Sequence, residues 1–171
     1  FQKHLKMSRN LPPLHRDKKL YVWMLICCGI FFLYTAITAR FSPGITLTKS
    51  VPFRFFIAVK TKYFKRGDHI FFYRPNDKAF PGGNLIKMIL CVPGDMLEEK
   101  NRDYYCNGKY MLTAKTISRT GVPLKHFQFK GRIPENCYFV VGDGDIKNAY
   151  DSRYFGFVKR QEIKARVIPL W

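Results

Sequence analysis

The chain has 171 residues, 47% of them hydrophobic, and 30 Lys and Arg against 12 Asp and Glu give it a formal net charge of +18. That length holds one ordinary globular domain plus a short attachment. The positive charge points to an anionic surface, with membrane lipid ranked before nucleic acid, because the basic residues are scattered through strand-like runs and no nucleic-acid recognition motif accompanies them.

The sequence opens at Phe1, so an initiating segment is expected to have been removed or to lie outside it. Residues 1–19 carry Lys3, Lys6, Arg9, Arg16, Lys18 and Lys19 against the single acid Asp17. Residues 20–39, LYVWMLICCGIFFLYTAITA, contain no charge and reach the length needed to cross ~30 Å of hydrocarbon as a helix. By the positive-inside rule, 1–19 is expected to be cytoplasmic and 40–171 exported. Trp23 and Tyr34 sit near the two ends, where interfacial anchors are found. The apolar run exceeds the 7–15 residues of a signal-peptide core, which favours an anchor, although the small residues of TAITARFS leave cleavage open.

From residue 41 the pattern is short β-rich runs broken by turns, without repeats or a long amphipathic helix, and an all-β domain on one anchor is expected. RFFIAVKTKYF leads through KRGD to HIFFYRP, and NDKAFPGG separates that from NLIKMILCV. PGD, then MLEEKNRDYYC, then NGKYML follow, with Asn107-Gly108 a two-residue hairpin signal. Residues 113–132 read as an extended excursion before CYFVVGD and IKARVIPLW resume strand character. Arg66-Gly67-Asp68 spells an adhesion tripeptide but falls between two strands and reads as a turn.

Five cysteines divide between the span, with Cys27 and Cys28, and the exported part, with Cys91, Cys106 and Cys137. An oxidising compartment permits a disulfide there, and Cys91 with Cys106 is the expected pair, because a hairpin between them brings their strands together. No CxxC or His/Cys ligand spacing suggests zinc. Asp143, Asp145 and Asp151 lack the acid expected at the twelfth position of a calcium loop. The histidines His4, His15, His69 and His126 have no Ser/Asp context, which disfavours a serine–histidine triad. No metal or cofactor is expected.

One residue breaks the strand logic. Lys87 stands between Leu85-Ile86 and Met88-Ile89-Leu90-Cys91, where a lysine is costly to bury unpaired. Either it points to solvent from a half-exposed strand, or burial strips its proton and makes it a general base for a nearby hydroxyl. Ser50, some ten residues past the span, is followed by Pro52, which stiffens the backbone, and preceded by Thr48.

SVP at 50–52, KRGDHIFFYRP, IKMILCVPGD, CNG and GDGDIKNAYDSRYFGFV occur in the order and spacing of the type I signal peptidase superfamily, which residues 43–169 resemble. The resemblance implies a signal-peptidase-like β domain with Ser50 as nucleophile and Lys87 as base. It implies Thr48 as a hydroxyl completing an oxyanion hole with the Ser50 N–H, and Asp151 and Arg153 as a bracing ion pair with Ser152 between them. SVP and the RIPENCYFVVGD and PLW endings look most like the conjugative-transfer TraF-type branch, which implies pilin-like precursors with small residues at the cleavage site, a bacterial inner-membrane anchor and a periplasmic catalytic domain. Hydrolysis and cyclisation are both open. The chain departs from the pattern in four places: seven residues between Asp143 and Asp151, one more than usual; Ala149 where a serine contacts the lysine; Met88 where an arginine follows it; and Cys91 for the glycine before the turn. With Ala149 in place, Asn148 or Ser152 is expected to substitute, or activity to fall. A non-catalytic assembly factor of a secretion or conjugation apparatus and a membrane-tethered nucleic-acid binder are the rival readings.

Overall fold

A computed structural model describes residues 18–75, 77 and 83–170. The basic segment 1–17, Asn76, residues 78–82 and Trp171 lie outside the described residues.

Helix α1 (Lys18–Arg40) covers the charge-free run and is long and apolar enough to cross a membrane. Considered by itself it has no polar face, which suits lipid rather than the wall of a water-soluble core.

The second unit runs from Arg40 onward and is built of antiparallel strands. Among the described residues, seven form one sheet in the order β1 (Phe41–Ile45), β2 (Phe55–Val59), β11 (Ile163–Pro169), β3 (His69–Tyr73), β4 (Asn84–Cys91), β9 (Cys137–Val141) and β10 (Val158–Lys159). A second sheet has the order β7 (Lys109–Thr113), β6 (Asp103–Cys106), β5 (Met96–Lys100), β8 (Lys130–Arg132). One short helix, α2 (Ser152–Phe155), follows β9.

Turn chemistry explains most of the connections. Arg66-Gly67-Asp68 is a turn, with Gly67 at φ 85° and the Asp68 carboxylate accepting from the Lys65 N–H at 2.9 Å. The Pro93-Gly94-Asp95 turn closes in the same way, Asp95 Oδ2 accepting from the Val92 N–H at 2.8 Å. Asn107 and Gly108 have φ of 51° and 78°, the paired positive values a two-residue hairpin needs between β6 and β7. MLEEKNRDYYC reads as one run in sequence, but the fold breaks it into β5 and β6. Asn101 and Arg102 take positive φ of 53° and 71° at the break. This conformation is held by tertiary bonds: Glu99 accepts from the Arg102 N–H at 2.6 Å, and the Arg102 side chain donates to the carbonyls of Ala114 (3.1 Å) and Leu124 (2.8 Å). The 113–132 excursion carries an isolated Ile117–Pro123 bridge and ends in β8.

Ile70, Phe72, Ile89, Val140 and Val158 centre one core cluster, and Leu97, Tyr104, Cys106, Phe139 and Cys91 another. Cys91 ends β4 and Cys106 ends β6. Their sulfurs are in bonding contact with the Cα atoms 6.4 Å apart, so the contact joins the two sheets.

Candidate active site

Lys87 lies on β4 between β3 and β9, opposite Ile70, and is 1% exposed. Strands on both sides and the loop after β9 cover it, so the solvent-facing reading does not hold. Burial pushes its ammonium down to about 8. The Asp151 carboxylate opposes that shift, the Arg153 guanidinium adds to it, and Asp143 opposes it.

Ser50 is half-buried in the turn between β1 and β2, anchored by Val51 and Phe53, whose side chains enter the core. Thr48 Oγ1 donates to Ser50 Oγ at 3.3 Å, which brings together the two hydroxyls singled out in sequence. The 142–144 loop then closes over this turn. Gly144 donates its N–H to the Ser50 carbonyl at 3.1 Å, and a Cβ at Gly144 would sit 2.5 Å from the Lys49 carbonyl oxygen and 2.8 Å from that of Val51. A Cβ at Gly142 would lie 2.5 Å from Ala149 Cβ, 2.9 Å from the Ser50 carbonyl oxygen and 3.2 Å from Lys87 Nζ. Serine segment, lysine amine and Ala149 therefore converge on the bare Cα of one buried glycine. Sequence reasoning quoted this GDGD stretch without assigning its glycines a task. The repeated Gly-Asp was the available signal.

Asp151 and Arg153 brace the floor. Arg153 Nε donates to Asp151 Oδ1 and Nη2 to Oδ2, both at 2.8 Å, with neither residue more than 1% exposed. Arg153 also donates to the carbonyls of Thr113 (3.0 Å), Ile146 (2.6 Å) and Ala149 (3.3 Å), while Asp151 caps α2 through the Arg153 N–H and accepts the Gly142 N–H at 3.2 Å. A buried bidentate pair with its remaining donors satisfied fixes the 142–151 loop geometrically. Ser152 Oγ accepts from the Val140 N–H at 2.9 Å, and the Asn148 side chain is bonded to Asp145 and Lys115. Both groups expected to replace the missing serine hydroxyl thus have partners elsewhere, and the Ala149 methyl packs against the same Gly142 that Lys87 Nζ approaches.

The histidines need a correction. His69 and His126 do have carboxylate partners, Asp143 at 2.8 Å and Glu99 at 3.2 Å, brought together across 74 and 27 residues of sequence. Asp143 and Asp145, weighed as calcium ligands, are held instead by His69 and by Arg119 at 3.0 Å. Cys91, Asp95 and Cys106 present ligand atoms within 4.8 Å of one another. The Asp95 carboxylate already accepts from Arg66 (2.7 Å), Val92 (2.8 Å) and Asn107 (2.8 Å), which accounts for its lowered pKa and leaves this set a poor metal site.

A cavity of about 500 Å³ opens beside Ser50, with Thr48, Ala149, Tyr150 and Tyr154 in its wall. This volume falls in the range of small-ligand and peptide sites.

Residues 17–171 match the family model described as signal peptidase, peptidase S26. A signal peptidase I of Bacillus caldolyticus is 35% identical over 94 residues, covering 49% of this chain and 51% of that protein. Signal peptidase I V of Bacillus subtilis is 30% identical over 112 residues, 60% of this chain and 63% of that protein. A crystal structure of a signal peptidase I from Enterococcus faecalis V583 superposes with a TM-score of 0.43 and 27% identity, over 64% of this chain and all of that one. The chain thus spans about half to two thirds of the length of these two Bacillus relatives. With its family-model match running nearly end to end, the chain belongs to the signal peptidase family, peptidase S26.

Proposed function

We propose that the chain is a membrane-anchored serine endopeptidase that removes signal peptides or processes pilin-like precursors with a serine–lysine pair. The observation that carries this is the water-stripped Lys87 amine, pushed down to about 8 and set against the same glycine that touches the Ser50 backbone. A neutral amine there takes the Ser50 proton as Oγ attacks the scissile carbonyl. The Ser50 N–H and the Thr48 hydroxyl hold the oxyanion, each donor contributing on the order of 3 kcal/mol. The tetrahedral intermediate collapses to an acyl-enzyme as Lys87 returns the proton to the leaving amine. Water then attacks with Lys87 again as base, releasing the acid and restoring Ser50. An amine attacking in place of water would form a peptide bond, the cyclising variant of the same chemistry.

The finer reading places the chain in the TraF-type branch, acting on pilin-like subunits with small residues at the cleavage site alongside conjugation machinery. Helix α1 anchors it in the inner membrane with the N-terminus cytoplasmic, the β domain periplasmic and the membrane lipid a neighbour. Motif wording around SVP and the chain ending support that branch. A second reading, a non-catalytic assembly factor, draws on one feature: Ala149, whose methyl packs against Gly142 near Lys87, stands where the family pattern has a hydroxyl. Conversion of a pilin precursor in membranes by wild type, Ser50→Ala and Lys87→Met separates the two. Loss of processing in both variants supports the peptidase, and normal processing by both refutes it.

A further inference from the structure

The cavity beside Ser50 has a charge pattern that small-residue selection at a cleavage site does not require. Lys49, Lys115, Arg119 and Lys147 all line it and are exposed, against one acid in its wall, Asp145. Asp145 is already partnered, accepting from the Asn148 amide at 2.9 Å and from Arg119 at 3.0 Å, and the Asn148 bonds first, with the Arg119 charge, hold its carboxyl below the usual range. Lys115 Nζ donates to the neutral Asn148 oxygen at 2.8 Å. Among the described residues, no carboxylate lies within 4.0 Å of the ammonium groups of Lys49, Lys115 or Lys147. Three cations without an ion-paired carboxylate around one concave site raise the local potential and attract an occupant of opposite sign. The wall between them is less polar: Leu124 and Ala149 contribute apolar surface, and the Tyr150 and Tyr154 rings stack with centroids 6.1 Å apart. That combination suits an extended peptide whose acidic side chains reach the rim while its backbone lies across the aromatic surface.

We infer that this cavity selects precursors carrying acidic side chains next to the cleavage site, with Lys115 and Lys147 as the specificity-determining residues. Adjacency to the scissile bond rests on the serine-peptidase reading of Ser50. Occupancy by an acidic peptide does not.

The test uses the full chain in detergent micelles and two sets of three matched fluorescent peptides, with Ala around the cleavage site and an Asp, Asn or Lys pair on one side of it in the first set and on the other side in the second. Binding is measured on Ser50→Ala and kcat/KM on wild type. On at least one side, the Asp peptide should bind and be cleaved about tenfold better than the Asn peptide at low salt. That gap should close toward 1 M salt, where the screening length falls to ~3 Å. Lys115→Glu/Lys147→Glu should invert the order and favour the Lys peptide, an inversion that mere loss of structure would not produce. Equal binding of all three peptides on both sides overturns the inference. So does charge-insensitive peptide binding together with uptake of phosphatidylglycerol vesicles that the double variant loses, because the cations then serve a lipid surface. Acidic-peptide binding without Ser50-dependent cleavage would keep the cavity's selectivity and refute the peptidase.

Discussion

Lysine 87 offers the sharpest test, because one number governs both rate and stability. A pKa lowered from 10.5 to about 8 leaves about a tenth of the amines neutral at pH 7, roughly 300-fold more than a solvated lysine provides. The sign follows from proton binding. Below pH 8 the lysine is protonated in both folded and unfolded states, so burial destabilises the fold by its full amount, about 3 kcal/mol. Between pH 8 and 10.5 the unfolded chain binds more protons, stability rises with pH, and the cost is gone above 10.5. Lys87→Met should therefore abolish activity yet raise urea-unfolding stability at pH 7 by up to about 3 kcal/mol, a gain that shrinks to nothing by pH 10.5. In wild type, kcat/KM on a quenched peptide should rise about tenfold per pH unit below 8 and level off above it. A rate that keeps climbing to pH 10, or a Lys87→Met variant no more stable than wild type at pH 7, would refute the desolvated-base argument.

Other expectations follow from single contacts. Gly142→Ala pushes a methyl to within 2.5 Å of Ala149 Cβ and 2.9 Å of the Ser50 carbonyl; peptide cleavage should fall about a hundredfold and urea stability by about 1–3 kcal/mol. Ala149→Ser returns a hydroxyl beside Lys87 Nζ, and steady-state kinetics should show kcat rising about fivefold with KM unchanged, the worth of one net hydrogen bond. Arg153→Met leaves the buried Asp151 carboxylate unpaired and should cost about 3–5 kcal/mol in chemical denaturation, while the Asp151→Leu/Arg153→Met double variant should lose less. Without reductant, maleimide should label Cys137 and spare Cys91 and Cys106, and Cys106→Ser should lower stability by about 3 kcal/mol for a 15-residue loop.

The long apolar helix, the β-rich domain and the residue types of the candidate site were legible because each rests on local chemistry. Twenty uncharged residues can read only as lipid-facing or deeply buried, Asn-Gly and Pro-Gly-Asp encode their turns, and a lysine inside an apolar run announces its own anomaly. Which way that lysine points was not local. Its burial depends on β3 and β9 flanking β4 and on Gly142 admitting the Ser50 turn from above. The Asn101-Arg102 reversal was equally hidden, because side-chain bonds to carbonyls 12 and 22 residues away hold a backbone conformation that neither residue favours alone. His69 found Asp143 only through the sheet, and the rim of Lys49, Lys115 and Lys147 gathers from three separate loops. Sequence by itself determined what each segment would bury and where the chain would turn, since those follow from transfer free energy and backbone sterics. Only the tertiary structure decided which charges meet and which are left without partners, since electrostatic neighbours are set by distances in space rather than along the chain.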